Sequence, residues 1–134
     1  MNDTTDTRQQ ILEAAMERIV HYGYSKTTMS EIAKDCNMSA GNIYRFFASK
    51  LDIAEAIGRK FNSELYQTYA SICRKPITAA DRLRQFFEFS MVRTYEALEE
   101  KDKLVELAET LADERPLFMN EQLAQERVYL VQIL

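Results

Sequence analysis

The sequence predicts an all-α protein. Glycine and proline number only 3 and 2 among 134 residues, too few for the turns that strands and hairpins consume. The good helix formers Leu, Ala, Glu, Lys, Arg, Gln and Met are abundant. Apolar residues recur at three- and four-residue spacing through most of the chain, which is the period of one helix face. With 46% apolar and 28% charged residues, the chain suits one globular unit, or one small domain plus part of a second.

The elements follow in order. Met1–Thr5 is polar and expected to fray. Asp6 or Thr7 can cap a first helix, whose inner face is Ile11, Leu12, Ala15, Met16, Ile19 and Val20. Gly23 ends it, because glycine accepts the left-handed conformation of a helix C-terminus. Thr28 followed three residues later by Glu31 reads as a capping box for a short second helix. Ile32 and Ala33 face inward there, and the helix ends near Cys36-Asn37, asparagine being tolerant of positive φ. Ser39 caps a third helix running to Phe47, with Ile43 and Phe47 inward and Met38 stapled in front.

Ser49 caps a fourth helix from Lys50, with Leu51, Ile53, Ala54, Ile57, Phe61 and Leu65 as its apolar positions, continuing to Lys75 until Pro76 breaks it. Thr78 opens a fifth, with one broad stripe of Leu83, Phe86, Phe87, Ser90, Met91, Thr94, Tyr95 and Leu98. A sixth helix from about Lys103 to Asp113 turns Leu104, Leu107, Ala108 and Leu111 inward. Pro116 begins a last segment with Leu117, Leu123, Val128, Val131 and Leu134 apolar. That segment stops without a C-cap, as a helix interrupted partway would.

Charge is unevenly distributed. The formal net charge is −4, but residues 1–60 hold eight basic and eight acidic side chains while residues 61–134 hold nine and thirteen. Lys26, Lys34, Arg45 and Lys50 face only Glu31 and Asp35 in the intervening stretch, a small basic patch compatible with a nucleic acid. Cys36 and Cys73 have neither metal-binding spacing nor a CxxC motif, and read as thiols in a reducing compartment. The N-terminus lacks the pattern of a signal peptide, and no apolar run approaches the ~20 residues that span a bilayer; a cytoplasmic protein is expected. One histidine, no Gly-rich phosphate loop and no serine elbow leave an enzyme without its parts. No cofactor or metal is implied, Glu99, Glu100, Asp102, Glu106 and Glu109 reading as a solvated acidic face and His21 as a surface residue near a helix C-terminus.

Function is carried by Thr28–Phe47, two short helices joined by a tight turn. In a helix-turn-helix the second helix enters the major groove and its early residues reach base edges. Ala40 and Gly41 are small enough for close approach to DNA. Gly41 inside a helix costs roughly 1 kcal/mol against alanine, so it implies close approach to a surface, either DNA or another helix of the protein. Asn42 carries the donor and acceptor that can pair with adenine. Thr28, Tyr44 and Lys50 stand at the margins as phosphate donors, with helix N-terminal amides.

These residues, with Arg8, Ile11-Leu12, Ala14-Ala15, Gly23-Tyr24, Thr27-Thr28, Ile32-Ala33, Cys36-Asn37-Met38-Ser39, Gly41 to Phe47 and Ser49-Lys50, resemble the N-terminal domain of TetR-family repressors over about residues 8–57. Tyr44, Phe47 and Ser49-Lys50 match the family's recognition-helix tyrosine, the phenylalanine three residues on and the Ser-Lys opening of the next helix. Asn37 stands where the family usually has a turn glycine, and Leu51 where an acidic residue often follows the lysine. The resemblance implies a homodimer with a helix-turn-helix domain, residues 1–50, followed by a helical ligand-binding and dimerisation domain, residues 51–134, with the family's C-terminal helices lying outside this sequence. It implies phosphate contacts from Thr28, Tyr44 and Lys50, and base reading from Ala40, Gly41 and Asn42 with Arg45 at the edge; Ser39, the helix cap, is counted with the DNA-binding residues.

The aromatic and methionine content of the second part exceeds what a small bundle core needs. Phe61, Tyr66, Tyr69, Phe86, Phe87, Met91, Tyr95 and Phe118 are therefore candidates to line a cavity for a small apolar effector. The expected mechanism is a repressor dimer on a pseudo-palindromic double-stranded operator, released when the ligand shifts the spacing of the reading helices through the helix that starts at Lys50. A helical ligand-binding or protein-interaction module without DNA reading is the other expectation, and an activator role remains compatible with the same fold.

Overall fold

The computed structural model describes residues 3–100 and 102–134. Among them the chain forms seven helices: α1 (Asp3–Tyr22), α2 (Met29–Asp35), α3 (Ala40–Ile43), α4 (Lys50–Cys73), α5 (Ala79–Glu100), α6 (Asp102–Glu114) and α7 (Pro116–Ile133). Their starts follow local chemistry. The hydroxyls of Thr28, Ser39, Ser49 and Thr78 each accept the backbone N–H three residues on, from Glu31, Asn42, Asp52 and Asp81, satisfying donors that the first helical turn leaves free. Pro116 opens α7, where a missing N–H does no harm. Gly23 at φ +96° and Asn37 at φ +55° are the left-handed residues that close α1 and the α2–α3 turn.

Three boundaries differ from the sequence reading. α1 begins upstream of Asp6 and Thr7, since no residue from Thr4 to Thr7 opposes a helix; of the segment expected to fray, Met1 and Asn2 lie outside the described residues and Thr4 and Thr5 are helical. α3 ends at Ile43 instead of reaching Phe47. The N–H groups of Arg45 and Phe46 bond three residues back, to Asn42 and Ile43; this tighter winding lets the chain reverse in time for Ser49 to cap α4. α4 stops at Cys73, because the residue before a proline is pushed out of the helical region.

Two cores result. The larger joins Ile11, Ala15 and Ile19 of α1 with Ile32 and Ala33 of α2, Ile43, Phe47, and Ile53, Ala54 and Ile57 of α4. It also takes in Leu107 and Leu111 of α6 and Phe118 of α7. The smaller is built on Tyr69, Phe86 and Ile133. α4 starts under the helix-turn-helix and runs on to the smaller core, so it is shared by both ends of the molecule.

The inner face of α5 takes only part of the expected stripe, and that of α7 is not its most apolar one. On α5 the residues turned inward are Phe86, Ser90, Arg93 and Ala97, while Phe87, Met91, Tyr95 and Leu98 are half or more exposed. On α7 the inner face is Phe118, Gln122, Glu126, Tyr129 and Ile133; Leu117, Leu123, Val128, Val131 and Leu134 are exposed. Both sets keep helical spacing. The polar members are held because they find partners: Asn62 Nδ2 donates to Gln122 Oε1 at 2.9 Å, and the Tyr66 hydroxyl to the Gln122 carbonyl at 2.9 Å. Ala108 on α6 is exposed and lines the cavity described below.

Candidate nucleic-acid interface and ligand cavity

The helix-turn-helix is braced from behind by one side chain. Arg18 of α1 forks onto Asp35, with Nε–Oδ2 2.7 Å and Nη2–Oδ1 2.9 Å, and its Nη1 donates to Glu31 Oε2 at 2.7 Å. Hydrogen bonding from Arg18 holds the Asp35 carboxyl below its ordinary pKa. Glu31 in turn accepts the Thr28 hydroxyl proton at 2.8 Å, so α1, the cap of α2 and the end of α2 form one chain of charge-assisted bonds. The Cys36 N–H returns to the Ile32 and Ala33 carbonyls and the Met38 N–H to Ala33, fixing the turn that aims α3.

α3 then stands at the surface. Ser39, Gly41, Tyr44 and Arg45 are exposed and Ala40 and Asn42 half-exposed. The Asn42 side-chain amide and the Tyr44 hydroxyl make no hydrogen bond to other described residues. Ser39 Oγ accepts from Asn42 N, which leaves its own proton for another acceptor. A Cβ added at Gly41 would meet nothing within 4 Å. The internal helix crossing considered for Gly41 is therefore absent; that role belongs to Gly58, whose added Cβ would lie 3.1 Å from Phe118 Cζ and 3.2 Å from Leu111 Cδ1. Lys26, Lys34 and Arg45 are exposed, with no carboxylate within 4 Å among the described residues.

Two expected phosphate donors are placed otherwise. The Thr28 O–H points to Glu31. Lys50 turns inward: Nζ donates to the Tyr24 carbonyl at 2.9 Å and lies 4.1 Å from the centre of the Tyr24 ring, and burial lowers its pKa. Sequence spacing put Lys50 beside the reading helix but could not show which way its long stem bends. Glu106, expected on a solvated face, accepts the Ser25 N–H at 3.0 Å, and that bond depresses its pKa. Lys50 from α4 and Glu106 from α6 thus pin the same α1–α2 turn. Arg115 adds a third tie, donating to Asp52 Oδ1 at 2.7 Å at the start of α4.

Between α4, α5, α6 and α7 lies a cavity of about 480 Å³, within the range of small-molecule sites. Of the eight aromatic and methionine side chains expected to line it, the structure brings Phe61, Tyr69 and Phe118 to its wall. Tyr66 stacks on Tyr129 at 5.5 Å and closes the α4–α7 seam, where burial and the nearby Glu126 push its hydroxyl up to about 12. Phe86 is buried against the Tyr69 ring at 4.1 Å. Phe87, Met91 and Tyr95 do not reach the cavity: of the broad stripe expected on α5, the Phe86–Ser90 side is turned inward and theirs is exposed. Leu104, Leu107, Leu111 and Met119 supply apolar wall, while Arg93, Ser90 and Glu126 form a polar end that aromatic content did not signal.

A helix-turn-helix followed by a helical bundle, with α3 exposed and a cavity between the later helices, defines the class: an all-α helix-turn-helix fold. Residues 11–57 match the family described as bacterial regulatory proteins, tetR family. It is 43% identical over 51 residues to the HTH-type transcriptional regulator YvkB of Bacillus subtilis, covering 38% of this chain and 27% of that one. A transcriptional regulator of the TetR/AcrR family from Thermobifida fusca superposes with TM-score 0.72 at 24% identity over 92% of this chain and 64% of its own. The Thermus thermophilus TetR-family repressor FadR, solved with lauroyl-CoA, gives 0.69 at 22% identity over 94% and 64%. These two likenesses show the fold. The chain spans about a quarter of the YvkB sequence and under two thirds of either solved chain.

Proposed function

We propose that this protein is a sequence-specific DNA-binding transcriptional repressor, released from its operator by a small, largely apolar effector. Residues 1–50 form the reading domain and residues 51–134 the effector-binding and dimerisation domain. The observation that carries the reading is α3: a glycine with open space above it, flanked by the unengaged polar ends of Asn42 and Tyr44. A helix accepts that loss of stability where another backbone or base edge must come close. Ser39, Tyr44 and Arg45 supply phosphate contacts and Ala40, Gly41 and Asn42 face the bases, while Lys50 and Thr28 hold the frame. Two copies would set their α3 helices about 34–36 Å apart, one turn of B-DNA; the exposed Met91, Tyr95 and Leu98 offer apolar surface for assembly. The likeness to regulators whose names record DNA reading and acyl ligands supports the same reading.

The test is selection of random double-stranded DNA by the chain at moderate salt, beside an Asn42→Ala, Tyr44→Ala double variant. Enrichment of a two-fold symmetric site by the wild type alone is expected. Binding should weaken steeply as salt rises, because phosphate contacts release counterions. A folded, dimeric chain that enriches nothing would shift the function to ligand binding without DNA reading.

A further inference from the structure

We propose that the cavity between α4, α5, α6 and α7 takes an amphiphile with an anionic head, and that Arg93 is the residue that reads the head. The proposal rests on the effector-cavity reading above and specifies its chemistry.

Arg93 projects from the inner face of α5 into the cavity wall. Its guanidinium carbon lies 3.8 Å from the centre of the Phe61 ring, and Nη2 donates to the Phe61 carbonyl at 3.3 Å. No carboxylate comes within 4 Å of it among the described residues. Its Nε is buried without a partner. Arg82, the other arginine with a buried unpartnered Nε, differs in kind: its Nη atoms reach the carbonyls of Lys75, Ile77 and Ile133, and tie the α4–α5 loop to the end of α7. Arg93 makes a single backbone bond, to Phe61 of α4, and its remaining donors reach no carbonyl among the described residues.

A partly desolvated guanidinium without a counter-ion is costly unless a charge-assisted partner arrives. The rest of the cavity says what accompanies that partner. Leu104, Leu107, Leu111 and Phe118 offer an apolar lining suited to an alkyl or ring body. Beside Arg93 the Tyr69 and Ser90 hydroxyls lie 2.5 Å apart, and Tyr69 also reaches Glu126 Oε1 at 3.3 Å. Two carboxylates line the cavity, Glu126 in this polar cluster and the exposed Glu109 on α6, and neither pairs with Arg93. A neutral apolar ligand leaves Arg93 without a counter-ion and a cationic one is repelled by it. A carboxylate meets the planar fork that arginine presents.

The experiment is calorimetric titration of the full chain with decanoate, 1-decanol and decyltrimethylammonium, each below its micelle-forming concentration. Decanoate should bind about 10- to 100-fold tighter than decanol, the usual worth of a charge-assisted bond. Each methylene removed from the acid should weaken binding about fourfold. Arg93→Gln should bring acid and alcohol to within about twofold of each other while decanol affinity holds, and Glu126→Gln should widen the preference for the acid. Equal binding of decanoate and decanol by the wild type overturns the anionic head and leaves an apolar cavity standing. Tighter binding of the ammonium overturns it in favour of Glu126 as the reader. An acid preference that survives Arg93→Gln, or fails to widen in Glu126→Gln, also overturns it. No binding of any of the three by the folded chain removes the cavity reading and this proposal together.

Discussion

Two glycines that look alike in a helical sequence have opposite roles. Gly41 faces open space and Gly58 faces Leu111 and Phe118. Gly41→Ala should hold or raise stability, by up to about 1 kcal/mol, while weakening DNA binding because the added methyl stands where a base edge must approach. Gly58→Ala should cost about 1–3 kcal/mol through overpacking. Thermal unfolding and a DNA titration on both variants check the pair; a Gly41→Ala variant with full DNA affinity would count against the α3 interface. A second residue-scale prediction concerns acid. The Asp35 pKa is depressed by the Arg18 hydrogen bonds, so the unfolded chain binds a proton there more readily than the folded one. The stabilisation is complete above the ordinary carboxylate range near pH 4, and is lost as pH falls through the lowered value. Arg18→Gln should flatten the fall in urea midpoint between about pH 5 and pH 3, and should weaken DNA binding at neutral pH by loosening α2 against α1.

Helix starts were legible element by element because caps are local. Each of Thr28, Ser39, Ser49 and Thr78 acts on a backbone N–H three residues away, and no other part of the chain has a say. Ser49→Ala should lower stability by about 1 kcal/mol, measured by denaturant unfolding. Ser39→Ala should cost a similar amount and also reduce DNA affinity, since the hydroxyl caps α3 at the interface. Helix faces were less legible. The broad stripe expected on α5 contains two lines with valid helical spacing, Phe86–Ser90 continued by Arg93 and Ala97, and Phe87–Met91–Tyr95–Leu98. The structure turns the first inward and leaves the second exposed, because Tyr69 stacks on Phe86 and bonds Ser90. The choice lies in the partner helix, and Phe87, Met91 and Tyr95 stand away from the cavity as a result.

At the scale of the molecule, the helix-turn-helix is not closed on itself. Leu107, Leu111 and Phe118 complete the core that Ile11, Ile32 and Ile57 begin. Glu106 and Lys50 pin the α1–α2 turn from two different helices. Leu111→Ala should therefore destabilise head and body together, by about 2–5 kcal/mol, in a single unfolding transition seen alike by far-ultraviolet dichroism and by tyrosine fluorescence. Two separated transitions would show that the larger core does not couple them.

By itself the sequence determined the all-α class, the helix-turn-helix with its caps and turns, and the short third helix capped by Ser39. These depend on backbone preferences and hydrogen bonds within a few residues. The tertiary structure alone decided where the long charged side chains go and which stripe of each later helix is inside. Arg18 meets Asp35 across 17 residues and Glu106 meets Ser25 across 81; Lys50 bends inward, and Arg93 enters a cavity wall. A guanidinium, an ammonium or a carboxylate on a flexible stem has many reachable partners, and which one it takes is settled only when packing has brought distant helices together.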